Sequence, residues 1–291
     1  MRIWRNPTLG DNHASPMVLI DISYFGHRAK HTTGDLSYNG IPTGTIYGVI
    51  EQLKTIRRVF DNPSTCFVLA WDSQTSIRKQ MLPQYKVKPK KELTKEEEEE
   101  QQNFFYQMEI LPTILEKIGF RHNIKHDGFE ADDIIASICQ WNAGKHPVYI
   151  VSSDHDLFQL LSYGPMYRPN KGKNYTAEHL WEDFHVTPEQ WPMVQAIAGC
   201  STDGVTGVFG IGEKTAANYV SGHKKVGPKK LESIKRASRL IKRNLSIVKL
   251  PLQDIMLVPP DFKPSTFNVD ISGSTEVAKE YGFQSFYKDF L

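Results

Sequence analysis

The sequence predicts an α/β protein with a mostly parallel sheet flanked by helices. Two observations carry that expectation: short apolar runs read as buried strands, and segments between them repeat apolar residues at helical spacing. Strands that alternate with helices are joined by crossovers, which leave the sheet parallel and cover both of its faces. The first run, "MVLID", ends at Asp21. A Gly- and Thr-rich loop leads to "GTIYGVIEQLKTIRRVF", where Ile46, Val49, Ile50, Leu53 and Ile56 line one helical face. "STCFVLAWD" reads as a second strand and ends at Asp72. A basic segment follows, then a helix from about Glu96 to Ile118 that Pro112 is expected to kink or divide, since proline lacks an N–H and crowds the preceding turn. "FRHNIK" reads as a strand, "EADDIIASICQWN" as a helix, and "PVYIVSSD" as a strand ending at Asp154.

The 291 residues are 40% hydrophobic and 23% charged, ordinary values for a globular protein. Cys66, Cys139 and Cys200 are odd in number and widely spaced, so neither a disulfide framework nor a zinc knuckle is expected. A reducing compartment, the cytoplasm, fits that usage. The N-terminus has no hydrophobic signal segment, and no run of about 18 apolar residues occurs, so no membrane role is expected.

The net charge of +2 hides segregation of sign. Arg78 to Lys95 holds seven Lys/Arg against Glu92 alone, and Lys224 to Arg243 holds nine against Glu232 alone. One charge run is usually a solvated face; two basic blocks in a nearly neutral chain favour a polyanionic partner.

In an open parallel sheet, ligands bind beyond the carboxyl ends of the strands. Asp21, Asp72 and Asp154 face one crevice if their strands are neighbours. Each alone also reads as a helix cap or turn residue. The stretch "GFEADDIIAS" adds Glu130, Asp132 and Asp133 at a helix start, where the helix dipole favours one or two acids. The dipole does not account for Glu130 and Asp133 converging with Asp21, Asp72, Asp154 and Asp156. So many carboxylates repel or take up protons unless divalent cations bind, and a hard oxygen set points to Mg2+ or Mn2+. An acidic crevice flanked by basic segments suits phosphodiester chemistry in which two ions activate the attacking water and stabilise the leaving oxygen.

Downstream, "GVFGIGEKTAANYV" places Gly207, Gly210 and Gly212 where a hairpin joins two short helices, the second starting near Lys214. Backbone N–H groups there can hold a phosphate without reading bases. The following block, with Lys224, Lys225, Lys229 and Lys230, favours a grip on the nucleic-acid backbone over a plain turn. The glycines do not follow an early strand, which disfavours a dinucleotide fold, and no G-x-x-x-x-G-K-[ST] loop is present.

Taken in order, "LIDISYFGHRAK", "WDSQTSIRKQMLPQYK", "GFEADDIIAS", "VSSDHDLFQLL" and "AIAGCSTDGVTGVFGIGEKTA" resemble the 5'-nuclease superfamily, in particular phage-type flap endonucleases and the 5'-nuclease domain of bacterial DNA polymerase I. The resemblance covers roughly residues 17 to 220. It implies a PIN-like core over 1–185 with a helical arch at about 86–104, and a helix-hairpin-helix-type DNA-binding and C-terminal region over 186–291. It further implies a monomer with 5'-flap endonuclease or 5'-3' exonuclease activity on DNA, acting in replication or repair. RNA–DNA hybrids and replication proteins stay open as further partners. A nuclease without a polymerase domain suits a phage system, acting in the host cytoplasm. By position, Asp21, Asp72, Glu130 and Asp132 serve the first metal. Asp133, Asp154, Asp156 and Asp203 serve or support the second. Lys86 matches a catalytic lysine and Arg28 a basic residue nearby.

Two positions depart from the family pattern. Cys200 stands where the first aspartate of G-D-x-x-D is expected, and Pro89, between Lys88 and Lys90, stands for a basic residue. A thiol is a poor Mg2+ ligand, so weaker second-ion binding, better served by Mn2+, is expected. The alternatives are a catalytically weakened DNA-binding protein of the same fold and an RNA-directed PIN-type ribonuclease. The retained acids favour the enzyme, and the glycine hairpin favours DNA.

Overall fold

A computed structural model describes residues 15–87 and 92–283. The chain begins with β1 (Met17–Asp21), α1 (Ile22–Thr33), a ribbon of β2 (Ser37–Tyr38) and β3 (Ile41–Pro42), and α2 (Gly44–Val59). There follow β4 (Cys66–Trp71), α3 (Ile77–Met81), α4 (Lys95–Lys117), β5 (His122–Lys125), α5 (Ala131–Asn142) and β6 (Val148–Val151). Next come β7 (Met166–Arg168), β8 (Lys173–Tyr175), α6 (Ala177–Phe184) and α7 (Trp191–Ala198), then a ribbon of β9 (Gly199–Cys200) and β10 (Val205–Thr206). The remaining helices are α8 (Glu213–Ser221), α9 (Pro228–Arg236), α10 (Ser238–Val248) and α11 (Ile271–Glu280).

The main sheet runs β5-β4-β1-β6-β7-β8, parallel throughout except for the β7–β8 pair. Strand residues point alternately to the two faces, so an apolar run with no polar interruption belongs to a sheet covered on both. Met17 and Leu19 of β1, with Cys66, Val68 and Ala70 of β4, pack against α5 and α7. Val18 and Ile20, with Phe67, Leu69 and Trp71, pack against α1, α2, α4 and α11. The α5 side runs on without a break through Trp191, Val194, Ile197, Val208, Ile211 and Leu252, so one apolar core crosses the division expected at 185/186.

The expected strands and helices form, and α4 differs in one respect. It runs as a single helix through Pro112 and is not divided there. Leu111, Ile114 and Leu115 are buried on either side of the proline, and that tertiary packing outweighs the missing hydrogen bond. Its start is set by a capping box in which the Thr94 hydroxyl accepts from Glu97 N and the Glu97 carboxylate accepts from Thr94 N. The first turns of α4, in the stretch expected to form an arch, are largely exposed up to Phe104, which is buried beside the His27 ring and the Lys30 ammonium. Lys88, Pro89 and Lys90 lie outside the described residues. Among the described residues no helix is long and apolar enough to cross a membrane.

Helix α2 has no side-chain cap of its own; Gln107 of α4 supplies one from a distance. Its Oε1 accepts from Thr45 N at 2.8 Å and Ile46 N at 3.3 Å, two N–H groups that the helix leaves without internal partners. Gln107 is 1% exposed, so no water replaces it. Gln107→Ala is expected to lower the unfolding free energy by about 1–3 kcal/mol, because both donors stay buried and unsatisfied. Urea unfolding followed by circular dichroism measures this, and an unchanged midpoint contradicts the capping role.

Candidate active site

Parallel pairing puts like ends of strands side by side. Asp21 is in register with Ala70, and Ile20 with Val151, so the carboxyl ends of β4, β1 and β6 lie together. Asp21, Asp72 and Asp154 therefore open into one crevice of about 920 Å³, as expected if these strands were neighbours. Glu130, Asp132, Asp156 and Asp203 line it too. Local hydrogen bonds aim each acid. Asp21 caps α1 by accepting from Tyr24 N at 2.9 Å, and Asp72 accepts from Ala131 N, at the first turn of α5, at 2.8 Å. Asp154 accepts from Asp156 N at 2.8 Å, which fixes the turn that carries both.

The crowding shows in their titration. Burial, then the charges of Asp72 and Asp154, push the Asp21 carboxyl up to about 7. Burial and Asp154 push Asp156 up to about 8. Burial, Asp154 and Asp21 hold Asp132 well above the ordinary carboxylate range. Burial also raises Glu130 and Asp203, with Lys86 pulling both the other way. Asp21 and Asp156 thus hold protons near neutrality, and a divalent cation removes the reason to keep them; the donor set fits hard divalent ions.

One expected ligand is elsewhere. Asp133 is 0% exposed and does not line the crevice. It holds Arg78 through two hydrogen bonds, Nη1 to Oδ2 at 2.5 Å and Nη2 to Oδ1 at 2.8 Å, and accepts from Leu252 N at 2.8 Å. A helix turns about 100° per residue, so Asp132 faces the crevice while Asp133 faces α3 and the segment after α10. Arg28 is exposed on α1 and does not line the crevice itself, whereas its neighbour His27 does.

Lys86 stands at the rim with its side chain 41% exposed and its Nζ 3.1 Å from Glu130 Oε2. Burial works against its ammonium, but Glu130, Asp203 and Asp72 outweigh that and raise its pKa. Tyr85, which sequence reasoning missed, donates its hydroxyl to the same Oε2 at 2.9 Å. Lys86 adopts the left-handed conformation, φ 50°, and its N–H donates to Asp203 O at 2.8 Å. Gly204 lies against that segment so closely that a Cβ there would fall 2.5 Å from Gln84 O. Glycine at 204 thus lets the loop carrying Asp203 dock on the segment carrying Lys86.

That loop spans the β9–β10 ribbon after α7. Cys200 Sγ and the carboxylates of Asp156 and Asp203 have ligand atoms within 4.8 Å of one another. Burial, then Asp156, push the Cys200 thiol up to about 11. Gln195, also unforeseen, lines the crevice and donates to Asp156 Oδ1. Farther out, the hairpin joins α7 to α8. Gly207 closes it against Ala198 O, where a Cβ would fall 2.0 Å away. Gly210 and Gly212 face open space, and Lys214, Lys224, Lys225, Lys229 and Lys230 are all exposed.

An α/β fold with carboxylate oxygens gathered at the strand ends, Lys86 at their rim and a basic flank has the donor set for hard divalent cations. The family model "5'-3' exonuclease, N-terminal resolvase-like domain" matches residues 16–185, and the chain belongs to that family of nucleases. The 5'-3' exonuclease of Mycoplasmopsis pulmonis is 30% identical over 221 residues, covering 75% of this chain and 70% of that one. DNA polymerase I of Mycobacterium bovis is 30% identical over 222 residues, covering 72% of this chain; the match spans 23% of the polymerase. Among solved structures, the T5 D15 flap endonuclease in a pseudo-enzyme-product complex with DNA and metal ions has the same fold. Its TM-score is 0.66 at 20% identity, over 94% of this chain and 97% of that one.

The raised carboxyls predict how stability depends on pH. In the folded protein Asp21 keeps its proton to about pH 7 and Asp156 to about pH 8. Unfolded aspartates release theirs near pH 4, about the usual value. The folded state therefore binds more protons across this window, and stability of the metal-free protein falls as pH rises through it. Melting in chelator is expected to drop in temperature from about pH 5 to about pH 8, with Asp21→Asn or an added divalent cation flattening the slope. A metal-free melting temperature that climbs over that range contradicts the crowding.

Proposed function

We propose that the protein is a metal-dependent, structure-specific 5'-nuclease that hydrolyses DNA phosphodiesters at 5' ends and flaps, with Mg2+ as its working ion and Mn2+ able to substitute. The observation that carries the reading is the convergence of seven carboxylates, Asp21, Asp72, Glu130, Asp132, Asp154, Asp156 and Asp203, on one crevice with Lys86 at its rim. Asp21, Asp72, Glu130 and Asp132 form one half and Asp154, Asp156 and Asp203 the other. Each half has the donors to hold one ion, and Cys200 adds a sulfur to the second. When bound, the ions supply an activated water and an electrostatic clamp on the departing oxygen.

The chain's own groups do the rest. The Lys86 ammonium, paired with Glu130 in the free protein, is within reach of a phosphate entering the crevice and offsets charge that builds on it. Net chemistry is hydrolysis: a bond forms between phosphorus and the water oxygen, and one phosphorus–oxygen bond breaks. The open glycines 210 and 212 and the exposed lysines of α8, α9 and the turn between them face outward, where they suit backbone contacts that position DNA without reading sequence. The DNA-bound T5 relative supports that substrate class. RNA–DNA hybrids and replication proteins are further proposed partners.

Incubating a 5'-labelled flap, a nicked duplex and an RNA–DNA hybrid with Mg2+ tests the activity. The flap is expected to be cut, Lys86→Met to lower kcat by about 10²- to 10³-fold, and Asp154→Ala to lower it further. Cleavage by Asp154→Ala at the wild-type rate refutes the site. Replacing Lys224, Lys225, Lys229 and Lys230 with alanine is expected to weaken duplex binding. Each lysine that meets a phosphate reduces the log–log salt slope by about one. An unchanged slope moves the DNA grip elsewhere.

A further inference from the structure

Resting on the two-ion reading, we propose that Cys200, Asp156 and Asp203 form a thiolate-bearing metal site that takes a thiophilic divalent cation of the zinc class in preference to Mg2+. The three donors approach within 4.8 Å of one another on the same side of the crevice. Their chemistry differs from the all-oxygen half around Asp21 and Asp72. A thiolate favours zinc-class ions over Mg2+, which keeps its oxygen shell and gains little from sulfur.

Gln195 points independently to a ligand at this place. It is 4% exposed, lines the crevice and donates Nε2 to Asp156 Oδ1. Its Oε1 is buried and has no hydrogen-bond partner. A buried amide oxygen in such a position is an acceptor in want of a donor, and a water on a cation held by the three neighbours supplies one. The same amide ties down Oδ1 of Asp156 and leaves Oδ2 to the ion. Thr202 Oγ1 lies 3.0 Å from Cys200 Sγ and can donate to it once the sulfur is a thiolate. As the sulfur–metal bond forms, the thiol proton passes to solvent, with no change in oxidation state.

Cobalt reports the site directly, because a thiolate bound to Co2+ gives a charge-transfer absorption that carboxylates do not. Cys66 and Cys139 are both 0% exposed, so a signal belongs to Cys200. Metal-free full chain titrated with Co2+ is expected to develop the band at one equivalent. Zn2+ is expected to abolish it stoichiometrically, and a large excess of Mg2+ to leave it intact. Cys200→Ser is expected to lose the band with its circular dichroism unchanged, and Gln195→Leu to keep it at lower Co2+ affinity. Protection of Cys200 from iodoacetamide by Zn2+ but not Mg2+ gives a readout without substitution. A missing band in the wild type, a band that survives Cys200→Ser, or displacement by Mg2+ overturns the proposal. A band in a protein that cuts no DNA keeps this site and rejects the nuclease reading; cleavage without a band does the reverse.

Discussion

Repulsion among carboxylates at the ends of parallel strands is the constraint on which the rest of this structure depends. Pairing β4, β1 and β6 in one direction is favoured by their unbroken apolar composition, which needs cover on both faces. The same pairing leaves Asp21, Asp72 and Asp154 no choice but to share a crevice. Helix α5 then adds Glu130 from its N-cap and Asp132 from its first turn. Charge of one sign accumulates there faster than Lys86 offsets it, and the raised pKa values of Asp21, Asp132 and Asp156 record the imbalance. A folded chain tolerates this where the imbalance is the means of holding cations.

Arg78 and Lys86, both close to Glu130, have different work. Arg78, 3% exposed, is bound to Asp133 and, through Nε, to Ile247 O at 2.9 Å, which joins α3, the start of α5 and the end of α10. Because Asp133 also accepts from Glu130 N at 3.1 Å, the ion pair fixes the backbone from which Glu130 and Asp132 enter the crevice. Such a buried pair contributes more to geometry than to net stability, since its attraction is largely offset by desolvation. Lys86, by contrast, keeps solvent contact while it pairs with Glu130.

The hairpin region is bound to the catalytic sheet by packing as well as by chemistry. Trp191, Val194 and Ile197 of α7 belong to the same apolar cluster as α5, and Gly204 lets the Asp203 loop dock beside Lys86. Ala216 and Ala217 of α8 and Ile234 of α9 join that cluster too, so both helices are held in fixed relation to the acids. Within that frame Cys200 is a local change of donor chemistry.

Short unbroken apolar runs made the central strands legible in the sequence, and strand-terminal aspartates together with the acidic start of α5 made most of the crevice legible. Helical spacing was equally sufficient for α2 and α5, because those signals are local. Other features depend on residues far apart in the chain. Sequence spacing cannot tell that Asp132 turns to the crevice and Asp133 to a buried ion pair, since the deciding partner, Arg78, is 55 residues away. Nor does it tell that Gln107 caps α2, that α4 continues through Pro112, or that Tyr85 and Gln195 join the site. The chain by itself determined which residues are buried in strands and which acids end them, through hydrophobic periodicity. Only the tertiary structure decided which charges meet, because electrostatic and hydrogen-bond partners are chosen by distance in space and orientation.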